Sequence, residues 1–214
     1  MKSGARIAVV DYGMGNLLSV RHALQRMGKE VRIVSEPSEI LDSESLVLPG
    51  VGAFGDAMEE LTARKLVQPI QDYVSSGRPF LGICLGLQLL FEQGEEGGQP
   101  VRGLGILEGD VVRIEDRKDV NGRRLKIPHM GWNQVRFCGP GREMSRGIPD
   151  QSHFYFVHSY RIRPIDHSVV AATVCYGTEF PVAIGRDNLF AVQFHPEKSQ
   201  EFGRRLLENL LSTD

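Results

Sequence analysis

The chain has 214 residues, 41% of them apolar, enough to bury roughly 70% of the unfolded surface around one sizeable core. Its 25 basic and 27 acidic residues leave a net charge of −2, which provides no electrostatic footprint for nucleic acid or an acidic membrane surface. No apolar run approaches the ~20 residues of a membrane span, the run 7–10 is too brief for a signal-peptide core, and three cysteines without a CxxC pair or metal-like spacing read as a reduced, cytoplasmic protein without disulfides or a metal site.

Residues 6–10 form a short apolar run ending at Asp11, with Gly13 and Gly15 as turn residues, and read as a strand. Leu17, Val20, Leu24 and Met27 recur at helical spacing, and Gly28 ends that helix. Residues 31–34 and 46–48 read as strands, 54–74 as amphipathic helix broken near Pro69, 79–83 as a fourth strand and 85–91 as a helix. Strands alternating with helices imply parallel βαβ units in a doubly wound sheet. Beyond them, 107–114, 134–137, 154–162, 169–174 and 189–194 read as strands of antiparallel or mixed pairing. The segment 200–211 closes the chain as a helix with Phe202, Leu206, Leu207 and Leu210 on one face. There is no internal repeat and no low-complexity linker. The expectation is a single α/β domain over 1–214, with a mostly parallel sheet and additional antiparallel strands.

The segment Pro79-Phe-Leu-Gly-Ile-Cys-Leu-Gly-Leu-Gln88 carries the sharpest chemical signal. A buried strand ends at Cys84, a helix follows at once, and Gly82 and Gly86 flank the cysteine two residues to either side. That is the spacing of a nucleophile elbow, where small neighbours permit a tight turn and the side chain projects from the sheet edge. A helix start beside the sulfur favours thiolate over thiol. Taken alone, the segment also fits a core cysteine between packing glycines.

Leu189-Phe-Ala-Val-Gln-Phe-His-Pro-Glu197 supplies a base. A strand delivers His195 at its end, and in extended backbone residues i and i+2 point the same way, so Glu197 can hold the imidazole tautomer. His22, His129, His153, His158 and His167 have no carboxylate at that offset. Pro49-Gly-Val-Gly52 follows the third strand directly, and Gly-rich loops at the carboxyl ends of parallel strands border the ligand crevice. Its N–H at Val51, with that of Leu85, could bind a tetrahedral oxyanion. With no Gly-Lys-Ser/Thr following, it is not a phosphate loop.

These segments, in this order, resemble the class I, triad-type glutamine amidotransferases, and within them the glutaminase subunits of imidazole glycerol phosphate synthases. The likeness spans nearly the whole chain. It rests on Asp11-Tyr-Gly-Met-Gly-Asn16, Pro49-Gly-Val-Gly-Ala-Phe-Gly55, Gly82-Ile-Cys-Leu-Gly-Leu-Gln-Leu-Leu-Phe91, Pro128-His-Met-Gly-Trp-Asn133, Tyr155-Phe-Val-His-Ser-Tyr160 and His195-Pro-Glu-Lys-Ser199. Leu87 stands where the family commonly has methionine, a volume-conserving difference.

The resemblance implies a flavodoxin-like fold and glutamine hydrolysis by Cys84, His195 and Glu197, without a cofactor. It implies Gly52, Gln88, Ser159 and Tyr160 as the grip on glutamine. It further implies a heterodimer with a (β/α)8-barrel cyclase that receives the ammonia, with Met14, Asn16, Trp132, Tyr155 and Lys198 near that partner. Coupling to the partner implies a quiet free chain, switched on by a peptide turn at Val51. Three rivals remain at this stage: a glutaminase serving another synthase, a peptidase or esterase on the same elbow, and a catalytically idle flavodoxin-like module. Cys138, Cys175 and the mixed run Glu115-Asp-Arg-Lys-Asp119 carry no functional expectation.

Overall fold

The computed structural model describes residues 6–118 and 122–211. Met1 to Ala5 and Asp119, both touched by the sequence reading, lie outside the described residues. The elements in order are β1 (Arg6–Val10), α1 (Leu17–Gln25), β2 (Glu30–Val34), α2 (Pro37–Leu41), β3 (Ser45–Gly50), α3 (Phe54–Ala63), α4 (Val67–Ser75), β4 (Phe80–Cys84), α5 (Leu85–Gln88), β5 (Phe91–Gly94), β6 (Val101–Arg102) and β7 (Leu107–Arg113). They continue with β8 (His129–Phe137), α6 (Gly141–Met144), β9 (His153–His158), β10 (Tyr160–Pro164), β11 (Val170–Cys175), β12 (Glu179–Arg186), β13 (Leu189–Val192) and α7 (Gln200–Leu211).

Nine strands form one sheet in the order β2-β1-β3-β4-β13-β12-β11-β8-β9, and β10-β7-β5-β6 form a smaller one. From β2 to β13 every pairing is parallel, and from β13 to β9 every pairing is antiparallel. The interior of the parallel half is covered on both faces, so β3 and β4 are buried at every residue, whereas the edge strand β2 alternates. Ile7 and Val9 of β1 face a cluster with Val20, Leu24, Leu207 and Leu211 from α1 and α7. Ala8 and Val10 face the opposite cluster with Ile40, Phe54, Leu61 and Ile70 from α2, α3 and α4. Each fully buried Leu, Ile or Phe contributes about 1.5–3 kcal/mol. The antiparallel half has its own cluster around Val135, Phe154, Phe156, Phe180 and Phe194, closed by Leu206 of α7.

Four expectations are corrected. The helical stretch 54–74 breaks at Arg64 to Leu66, where Lys65 has φ 59, and not at Pro69. Pro69 sits in the first turn of α4, where a missing N–H leaves no intrahelical bond unmade. The helix after Cys84 stops at Gln88 instead of reaching Phe91, because Phe91 opens β5 of the smaller sheet. The run 154–162 is two strands, β9 in the large sheet and β10 in the small one, parted at Ser159. The strand placed at 134–137 begins at His129, paired with β9 from His129 to Gln134 and with β11 from Val135 to Phe137.

Candidate active site

Three strand ends converge. The register sets Gly50 of β3 level with Cys84 of β4, and Val192 of β13 level with Ile83. Cys84 has φ 55, a left-handed value for a non-glycine residue, which costs about 1–3 kcal/mol. Gly86 makes the turn possible: a Cβ there would lie 1.9 Å from the Leu48 carbonyl oxygen, so α5 rests directly on β3. Since α5 has only four residues, the helix macrodipole anticipated from sequence reduces to a few local N–H groups.

His195 follows β13 and caps a 3-10 turn, Pro196–Lys198. Its Nδ1 lies 2.8 Å from Glu197 Oε1, with both side chains buried. The reach is made by that turn and not by the extended i, i+2 geometry expected from sequence. Burial pulls the His195 pKa down, but interactions with Cys84 and with Glu197 outweigh it and raise the value to about 9. Among the described residues Nε2 makes no hydrogen bond of regular geometry, but Cys84 lies close enough to act on the same ring. The backbone of His195 is equally fixed. Its N–H donates to Tyr155 O at 2.9 Å, and its carbonyl accepts from Ser199 Oγ at 2.6 Å. Gly203 lets α7 pack on this turn, since a Cβ there would meet the Pro196 carbonyl oxygen at 1.9 Å.

Cys84 and His195 open into a cavity of about 290 Å³ that also reaches Val51, Gly52, Leu85, Gln88, Ser159 and Tyr160. The structure thus brings the expected triad, oxyanion and glutamine-binding residues to one place. Two details refine the expectation. The Ser159 carbonyl accepts from Ile114 N–H, and the Tyr160 carbonyl accepts from His158 and Gln88, so both oxygens are tied into the protein. Gly52 has φ +104, and a Cβ there would lie 2.7 Å from the Met14 methyl, so Met14 abuts the glycine loop.

Of the residues expected near a partner, three are contiguous. Trp132 is 47% exposed and meets Tyr155 edge-on at 6.0 Å, and Lys198 Nζ lies 5.7 Å from the Tyr155 ring centroid. Met130, 61% exposed, extends this patch along β8. Asn16 stands apart and caps α1, its Oδ1 accepting from Ser19 N–H at 3.3 Å.

The sequence matches the family described as Glutamine amidotransferase class-I over residues 8–213. The chain is a class I glutamine amidotransferase. This amidotransferase is 55% identical over 202 residues to "Imidazole glycerol phosphate synthase subunit HisH" of Rhodopirellula baltica, covering 94% of this chain and 95% of the relative. It is 54% identical to the protein of that name from Moorella thermoacetica, covering 95% and 92%. Among solved structures, PurLQS from Thermotoga maritima aligns over 97% of this chain and 98% of that one, with a TM-score of 0.72 at 22% identity, a likeness of fold.

Three parts of the amidotransferase site escaped the sequence reading. Glu96 lines the cavity and accepts from Phe54 N–H at 2.6 Å. Gln193, 1% exposed, places Nε2 3.6 Å from Cys84 Sγ. His129 and His158, both buried, are joined at 2.9 Å. Gln193 directly follows β13 and stands two residues before His195, and that i, i+2 spacing after a strand was the available signal. The histidine pair is made by β8–β9 register, which no local pattern announces.

Proposed function

We propose that this chain is the glutaminase subunit of an imidazole glycerol phosphate synthase, hydrolysing glutamine and passing ammonia to a (β/α)8-barrel cyclase with which it forms a heterodimer. In this reading the cyclase uses the ammonia to make imidazole glycerol phosphate and an aminoimidazole carboxamide ribotide in histidine biosynthesis, in the cytoplasm. One observation carries the chemistry: a strained Cys84 faces a buried His195–Glu197 pair across a cavity open to the glycine loop. The identity to proteins named as subunits of that synthase supports the choice of partner. The three apolar clusters share one continuous main sheet, which supports a single domain over 1–214.

The thiolate of Cys84 attacks the side-chain amide carbon of glutamine, and the oxyanion is received by the N–H groups of Val51 and Leu85. His195, cationic below about pH 9, gives its proton to the departing ammonia. It then takes a proton from water, which hydrolyses the γ-glutamyl thioester, and Glu197 stabilises the imidazolium throughout. Gln88, Gly52 and the Ser159–Tyr160 segment grip the substrate, and Glu96 is placed to attract its α-ammonium. Ammonia in water at neutral pH is mostly ammonium, which is not nucleophilic, so a closed passage to the partner is needed. Trp132, Tyr155 and Lys198 form the docking patch, and Met14, beside the glycine loop, and Asn16, at the start of α1, are separate contacts of the same partner.

A free chain with full activity would waste glutamine, so the resting state is quiet. The switch is the Gly50–Val51 peptide, whose turn presents or withdraws one oxyanion donor, an effect of about 10²–10³ in turnover. The test compares glutamine hydrolysis by the free chain, the complex, and the complex with the cyclase ligand. Rates should rise in that order. Equal rates in all three would remove the partner coupling, and no hydrolysis in any would remove the glutaminase.

A further inference from the structure

We propose that Gln193 acts directly on Cys84, donating an amide N–H to its sulfur to hold the thiolate, and that a hydrogen-bonded chain anchored on the β8–β9 ribbon aims this amide. The proposal rests on the glutaminase reading above and assigns a further catalytic residue to it.

The orientation of Gln193 follows from its neighbours. Gln88 Nε2 donates to Gln193 Oε1 at 2.9 Å and to Tyr160 O at 3.4 Å. The Tyr160 carbonyl can only accept, which identifies the facing end of Gln88 as its NH2 group. The Gln193 carbonyl is thereby occupied, and its own NH2 group is the end that meets Cys84 Sγ at 3.6 Å. Turning Gln193 over would oppose two NH2 groups and set a carbonyl oxygen against the sulfur anion. A donor to a charged acceptor is the stronger kind of hydrogen bond, and it favours the ionised form of that acceptor.

The chain continues outward with every polarity forced. Tyr160 O can only accept, so His158 Nδ1, 2.8 Å away, carries the hydrogen. His158 Nε2 then accepts from His129 Nδ1 at 2.9 Å, and His129 Nε2 accepts from Asn133 Nδ2 at 3.2 Å. Asn133 is in turn held by the Cys175 carbonyl at 3.1 Å, and it adjoins exposed Trp132. The sequence reading dismissed His129 and His158 for want of a carboxylate. Their partners are a carbonyl, an amide and each other.

Beside Cys84 stand His195 with Glu197 behind it, Gln193, and Tyr12, whose buried hydroxyl has no hydrogen-bond partner among the described residues and is kept un-ionised by burial and by the neighbouring Cys84. In the reaction, the N–H···S contact stabilises the thiolate before attack and weakens as the S–C bond forms. It regains strength when water, deprotonated by His195, attacks the thioester and the sulfur leaves as thiolate. The first half-reaction releases ammonia and the second releases glutamate, with Gln193 unchanged.

The experiment measures iodoacetamide alkylation of Cys84 against pH, in a Cys138→Ser/Cys175→Ser background that leaves one thiol. Gln193→Leu and the near-isosteric Gln193→Met lack the donor, and each is checked by thermal melting. We expect the alkylation midpoint to rise by about one to two pH units in both, the size expected for one charged hydrogen bond. Glutamine kcat in the activated complex should fall by about 10–100-fold with it. His129→Leu should raise the midpoint less but in the same direction. An unchanged midpoint in a folded Gln193 variant overturns the proposal, and one unchanged only in His129→Leu overturns the aiming chain. A parent complex that alkylates normally but hydrolyses no glutamine places the failure in the glutaminase reading instead.

Discussion

The buried pair His129 and His158 should make the fold sensitive to mild acid. Burial, then the neighbouring ring, lowers His129 from 6.5 to about 3. Burial lowers His158 to about 4, a carbonyl bond from Tyr160 opposes this, and the charge of His195 adds to it. An unfolded chain takes up both protons near pH 6.5, whereas the folded one refuses them until about pH 4 and below. The sign is therefore fixed: this contribution is complete above pH 6.5 and is lost as pH falls. Each withheld proton is worth about 1.4 kcal/mol per pH unit, so between pH 6 and 5 the pair removes about 1–3 kcal/mol. Domains are stable by about 5–15 kcal/mol, so the loss is large enough to read. Because the rings share a hydrogen bond, they titrate as a unit. Urea unfolding at pH 7, 6 and 5 compares the wild type with His129→Gln/His158→Gln, and the difference in slope is the readout, whatever the absolute stability of the variant. The wild type should lose stability more steeply. Parallel slopes, or a folded-state imidazole at these positions titrating near 6.5 by NMR, would refute the reasoning.

Cys84→Ala should abolish glutamine turnover while the complex still makes product from ammonium salts, and His195→Ala should match it within a few-fold, since members of one catalytic unit are not additive. Turnover with both nitrogen donors checks this. Glu197→Gln keeps a bond to Nδ1 but loses the charge, and should cost about 10²–10⁴ in turnover while the His195 pKa falls from about 9, read by NMR. Gly86→Ala drives a Cβ to 1.9 Å from the Leu48 oxygen, and should lower stability by about 2–4 kcal/mol and Tm by roughly 5–15 °C in a thermal melt. Lys198→Ala should weaken activation by the partner more than it raises the KM for glutamine, measured on the complex with and without cyclase ligand.

Much of this was legible because parallel strands buried on both faces leave an unmistakable mark. Strands β1, β3 and β4 are apolar runs ended by Asp11, by a glycine and by the elbow in turn, and α1 and α7 carry regular apolar stripes. The second half hides its logic because its strands trade partners between sheets. Tyr155-Phe-Val-His-Ser-Tyr160 reads as one uninterrupted strand, yet Ser159 is where the chain leaves one sheet for the other. Strand β12 escaped notice because Pro181 breaks its apolar pattern; Pro181 is tolerated because it lies beyond the β13 pairing, which starts at Ala183, and beside an irregularity in the β11 register. The short α5 was overread for a similar reason, since Leu89, Leu90 and Phe91 are as apolar as a helix face but serve the smaller sheet and its approach. Cys84, His195 and Glu197 could be nominated from sequence because an elbow and a strand end are local signals, and the structure sets them side by side. The histidine pair is a product of β8–β9 register, and Gln193 carried only its spacing from His195.

The topology also bears on how a docking patch can speak to the chemistry. Strand β13 arrives antiparallel to β12 and enters beside β4, so the last strand brings His195 to a cysteine made far earlier in the chain. The same return leaves β8 and β9 at the sheet edge, with Trp132 and Tyr155 paired across them. From that ribbon, two routes lead inward. One is a single bond, Tyr155 O to His195 N–H, which ties the base to the strand beneath the aromatic patch. The other runs from Asn133 through the histidine pair and Gln88 to Gln193 and the sulfur. On the proposed reading, a displacement of β8–β9 would reach both members of the catalytic pair, His195 through the Tyr155 bond and Cys84 through Gln193. The glycine loop answers from the other side, through Met14 against Gly52. A partner covering Trp132 and Met14 together would hold nucleophile, base and oxyanion donor in one arrangement, whereas a partner touching only one side would align at most two of the three.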